Sequence, residues 1–76
     1  MNINSLLHKG SSVLKERRIR TYKIDSELIL SEIIKKDLTF MSINGDFEIS
    51  PKEAEIYNDL ILRRKNNEPI AYILRK

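Results

Sequence analysis

Seventy-six residues, 41% hydrophobic and 33% charged, allow one small globular domain and leave no room for an enzyme with its own cofactor fold. Fourteen Lys and Arg against eleven Asp and Glu give a net charge of +3, far from a nucleic-acid-binding density, so no direct nucleic-acid contact is expected. The absence of cysteine removes disulfides, zinc thiolates and thiol nucleophiles, and no run approaches the roughly 20 apolar residues of a membrane helix or has the form of a signal peptide; a cytoplasmic protein without membrane attachment is expected.

From Asn4 to Arg18 the chain places Leu6, Leu7, Gly10, Val13 and Leu14 on one face, which predicts a first amphipathic helix. Gly10 lowers helix stability by roughly 1 kcal/mol relative to Ala, so it marks either a close helix crossing or a point of fraying. A second helix is predicted from near Ile24, with Asp25 and Glu27 complementing the positive end of its dipole. Its residues Leu28, Ile29, Leu30, Ile33 and Ile34 cover more than half of the circumference, and Ser26 and Ser31 are small enough for close approach. This predicts the central, most buried helix, with Leu28 and Ile33 at its core and Glu32 paired to Lys36 outside.

The run Leu38 to Ile43, followed by Asn44-Gly45, reads as a two-turn helix or as the first strand of a hairpin with Phe47 to Ile49. A lone two-stranded ribbon is marginal, and consistency with the helical segments around it favours the helix. Ser50-Pro51-Lys52-Glu53 combines a serine N-cap, proline in the first turn and a capping-box glutamate, with Ile49 and Ala54 placed to form a hydrophobic staple. The fourth helix is predicted to run to about Lys65, to bury Ala54, Tyr57, Leu60 and Ile61, to pair Asp59 with Arg63, and to end at Asn66-Asn67. Pro69 opens a last turn, Ile70 to Ile73, which has no stop signal of its own, as expected of a chain that runs on. The expected fold class is all-α: one domain over residues 1–76, built as a small, antiparallel bundle of about five short helices.

Catalytic chemistry finds no foothold in these residues. His8 stands alone on an exposed side, Asp25 and Glu27 are two apart and cannot share a helix face, and two glycines cannot build a phosphate-binding loop. No catalytic, metal or cofactor-binding residue is assigned. Two basic clusters remain, at the C-terminal ends of the first and fourth helices, where the dipole alone favours cations. Within them Arg17, Arg18, Arg20, Arg63, Arg64 and Lys65 are the candidate partner-binding residues.

The string Ile19-Arg-Thr-Tyr-Lys-Ile-Asp-Ser-Glu-Leu-Ile-Leu30, then Ile49-Ser50-Pro51, Leu62-Arg63-Arg64 and Asn67-Glu68-Pro69-Ile70-Ala71-Tyr72-Ile73, resembles the N-terminal domain of the HemK/PrmC family. Arg18 and Asn67 stand where that family usually has Gly, and Tyr22 where Pro is common. The resemblance implies a helical domain that precedes an S-adenosylmethionine-dependent methyltransferase domain and helps dock a class I peptide chain release factor, whose Gly-Gly-Gln glutamine the enzyme methylates. The family's Asn-Pro-Pro-Tyr motif and glycine-rich cofactor loop are absent, so the implied role of this chain is recruitment, with the release factor and its own catalytic domain as partners. The alternative is a free-standing helical adaptor or small nucleic-acid-associated regulator with the same bundle.

Overall fold

The computed structural model describes residues 1–75, among which five helices and no strand are found: α1 (Ile3–Glu16), α2 (Tyr22–Ile34), α3 (Leu38–Ile43), α4 (Pro51–Lys65) and α5 (Ile70–Leu74). The all-α class is as expected, and Leu38–Ile43 is helical. Asn2 starts α1 slightly earlier than the periodicity suggests, because its side chain accepts the Ser5 N–H at 2.8 Å. Ile3, Leu6, Gly10 and Leu14 then form the buried face of that helix.

Phe47 to Ile49, the second half of the discarded hairpin, lies beside the start of the chain. The Ile3 and Asn4 N–H groups, unpaired within α1, donate to the carbonyls of Phe47 (3.1 Å) and Gly45 (2.9 Å), and Ile49 N–H donates to Met1 (2.8 Å). Gly45 has no positive φ; a Cβ there would lie 2.6 Å from Cγ of Asn4, so a larger residue would have to push that exposed side chain aside. At the opposite end of α1, Arg17 Nε donates to the Lys65 carbonyl at 3.3 Å. Contacts of the two starts and of the two ends make α1 and α4 run parallel, so the antiparallel expectation fails for this pair.

Helix α2 packs against all four other helices, as a central helix should. Its buried line, however, is Asp25, Ser26, Ile29 and Leu30, while Leu28 and Ile33 are only half buried. The pairs Asp25/Ile29 and Ser26/Leu30 are one helical turn apart and form the two ridges that are enclosed; Leu28 lies off both. Ile3, Leu6, Leu14, Ile19, Met41, Ile49, Tyr57, Ile61 and Ile73 complete the core around Ile29 and Leu30.

Tyr57 joins three helices. Its ring lies over Gly10 of α1, where an added Cβ would stand 2.8 Å from Cζ, and its hydroxyl donates to the buried Ser26 carbonyl of α2 at 3.3 Å. Gly10 is therefore a close crossing and not a fraying point. Burial pushes the Tyr57 phenol pKa well above its ordinary value, and the charge of Glu27 adds to the shift.

Capping at α4 follows the sequence: Ser50 Oγ accepts the Glu53 N–H at 3.2 Å and donates to the Glu53 carboxylate at 3.0 Å. Two surface pairings differ from expectation. Glu32 pairs with Lys35 at 3.1 Å while Lys36 sits 5.1 Å from the Phe40 ring centroid, and Arg63 pairs with Glu68 of the α4–α5 turn in place of Asp59.

Leu30→Ala, at a fully enclosed position, is expected to lower stability by about 2–5 kcal/mol, and Leu28→Ala by clearly less, in urea titrations followed by circular dichroism. Equal losses would place the centre of the bundle elsewhere. Because the folded chain holds the Tyr57 phenol neutral, stability is whole below about pH 10, where the unfolded phenol also keeps its proton, and falls as pH rises beyond it. Tyr57→Phe should flatten that alkaline decline relative to the parent while lowering neutral-pH stability by about 1 kcal/mol. An unchanged alkaline slope in the variant would contradict the assignment.

Candidate functional site

The parallel course of α1 and α4 brings both basic clusters to one end of the molecule. Helix α1 closes with Arg18 in the left-handed region at φ 61°, its N–H donating to the Lys15 carbonyl (2.9 Å) and the next N–H, of Ile19, to Leu14 (3.2 Å). Helix α4 closes the same way: Asn67 has φ 67°, its N–H reaches Arg64 (3.0 Å) and Glu68 N–H reaches Arg63 (3.2 Å). Both are Schellman closures, which usually place Gly at the left-handed position. The two departures from the family pattern thus keep the backbone that glycine would give, and Tyr22 occupies the first residue of α2, the position most tolerant of Pro.

The six candidate residues divide by what their side chains touch. Arg18 and Arg20 are exposed, with no side-chain partner among the described residues. Arg17 is exposed but tied through Nε to the Lys65 carbonyl, and half-buried Lys65 sits in the last turn of α4. Arg63 is paired with Glu68. Arg64 is drawn inward, its side chain 18% exposed: Nε donates to Asp25 Oδ2 at 2.9 Å and Nη1 to the Glu68 carbonyl at 3.2 Å.

Asp25 is the residue that the sequence reading undervalued. Beyond complementing the dipole of α2, it is buried, accepts the Thr21 hydroxyl at 2.6 Å and receives Arg64 from α4. A buried carboxylate stays charged at tolerable cost only when paired and hydrogen-bonded, and here both conditions are met. The signal was available, since Thr21, Asp25 and Ile29 recur every four residues on one stripe that also carries core residues. Arg64 therefore locks α2 to α4 and to the turn before α5.

The space that a side chain would take is filled at both glycines, by the Tyr57 ring at Gly10 and by the Asn4 side chain at Gly45. Among the described residues no group of three or more His, Asp or Glu could hold a metal ion, and no helix is long and apolar enough to cross a membrane.

Residues 5–74 match the PrmC N-terminal domain family. The chain is 45% identical over 74 residues to a release factor glutamine methyltransferase of Clostridium botulinum, covering 97% of this chain and 26% of that protein. It is 41% identical over 76 residues to one of Clostridium acetobutylicum, all of this chain and 27% of that protein. A bifunctional methyltransferase of Rickettsia felis is 32% identical over 73 residues, covering 96% of this chain and 14% of its own length. No solved structure matches. The helical closures, the Asp25-x-Glu27-Leu28 helix start and the Glu68-Pro69 turn all lie inside the matched span, and the chain belongs to the PrmC N-terminal domain family.

Proposed function

We propose that the chain is the substrate-recruiting N-terminal domain of a longer, cytoplasmic, S-adenosylmethionine-dependent protein-glutamine methyltransferase, and that it helps bind a class I peptide chain release factor. Family membership carries the reading, taken with the relatives' coverage: proteins named for release factor glutamine methylation contain this unit as about a quarter of their length. The chemistry is assigned to a catalytic domain that follows the bundle, and S-adenosylmethionine to that domain. Binding is assigned to the basic end, where Arg17, Arg18, Arg20, Arg63, Arg64 and Lys65 gather.

Within that end, Arg18 and Arg20 are the residues best placed to meet a partner, whereas Arg64 acts on the partner through the fold that it stabilises. Charge reversal at Arg64 would strand Asp25 as an unpaired buried carboxylate, and loss of one member of such a pair typically lowers stability by about 3–5 kcal/mol.

Binding of the chain to a class I release factor, followed by fluorescence anisotropy, is expected to be weak and to fall with added salt, because charges at an exposed rim are screened beyond about 10 Å at 0.1 M. The double variant Arg18→Glu, Arg20→Glu should bind several-fold more weakly and keep its circular dichroism spectrum. Unchanged binding by that variant would remove the recruiting surface. An RNA oligomer that binds more tightly than the release factor would favour the nucleic-acid regulator instead. Arg18→Gly separates backbone from charge: relief of the left-handed strain should raise stability by about 1 kcal/mol even as release factor binding declines.

A further inference from the structure

We propose that the groove between α1 and α4 seats an apolar side chain from an acidic amphipathic helix of the recruited partner. The inference rests on the recruiting reading and adds to it the place and the chemistry of contact.

Because α1 and α4 run parallel, they form a trough whose walls carry repeating residues. Lys9, Val13 and Arg17 recur every four residues along α1, and Asn58, Leu62 and Lys65 follow one stripe of α4. Gly10 and Ile61 line the trough between them. Its volume is about 250 Å³. That is smaller than the roughly 300–1,000 Å³ of pockets that take a whole small ligand, and it suits one anchoring side chain. Leu62 on its wall is 50% exposed, an apolar side chain with room for a partner.

Charge selects the occupant. Lys9 is the one charged residue lining the groove, and no carboxylate lines it. The walls lead to Arg17 and Lys65, whose hydrogen bond closes the trough at the basic end. A helix whose apolar ridge enters the groove would set its acidic flanks against Lys9 on one side and the basic end beyond, the helix-in-groove mode of recognition. The larger cavity, about 490 Å³ among α1, α2 and α3, is lined by both Lys23 and Glu27 and offers no such complement.

The test measures affinity of the 76-residue chain for a class I release factor, with amide chemical-shift mapping of the labelled chain. Shifts are expected at Lys9, Val13, Asn58 and Leu62. Leu62→Glu and Asn58→Trp, which repels the anchor or fills the groove, should each weaken binding about tenfold or more without changing the circular dichroism spectrum. Leu62→Lys should also weaken binding, despite its added positive charge, whereas Ser42→Trp, which fills the other cavity, should bind as the parent does. Parent-like binding by Leu62→Glu and Asn58→Trp, or tighter binding by Leu62→Lys, overturns the groove and leaves recruitment standing. Absence of any binding by the parent chain overturns both.

Discussion

The Tyr57 ring crosses from α4 over the missing side chain of Gly10 and gives its hydroxyl hydrogen to the Ser26 carbonyl, so three helices meet on one residue. A buried phenol needs an acceptor, and the acceptor lies deep enough that only a helix without a Cβ at this crossing lets the ring reach it. Residues 10, 26 and 57 are thereby specified together: a larger residue 10 displaces the ring, and a displaced ring leaves a polar group unpaired. The rest of the architecture hangs on that approach. Holding α1 close to α4 sets the depth of the trough between them and leaves Arg17 within reach of the Lys65 carbonyl.

What could be read from the sequence followed the range of the interaction. The start of α4 was legible because Ser50, Pro51 and Glu53 act on one another within a single turn. Gly10 was legible only as an alternative, since its reason, Tyr57, is far along the chain. Helix α2 was rightly central, yet a helix apolar around most of its girth gives no periodic clue to which ridge is enclosed, and Leu28 was overvalued for that reason. Both basic clusters were visible as composition. Their convergence was not, because it depends on residues 45–49 bringing α4 back beside the first residues of α1.

The basic residues at the helix ends serve the fold before they serve any partner. Arg18, Lys35 and Asn67 occupy left-handed positions in a chain whose two glycines are both committed to close packing. A left-handed residue other than Gly is disfavoured by roughly 1–2 kcal/mol, and a cation next to the exposed carbonyls of a helix end recovers part of it. The same carbonyls fix the Arg17 side chain in place. Arg17, Arg63 and Arg64 are thereby held in position by partners within the fold, which lowers the entropic cost of presenting that end to another molecule.

The parallel pair of helices also gives the molecule a polarity. Asp46 and Glu53 stand near the starts of α1 and α4, where Glu48 is paired to the N-terminal amine, whereas Arg17, Arg18, Arg20 and Lys65 stand at the far ends, within a body whose longest dimension is 28 Å. Such a separation of charge is a permanent electric moment fixed to the frame of the bundle. In the field of an acidic surface it exerts a torque, so a tumbling molecule turns its basic end forward before any side chain touches. Orientation would then be selected during diffusion, as a compass needle is set by a field.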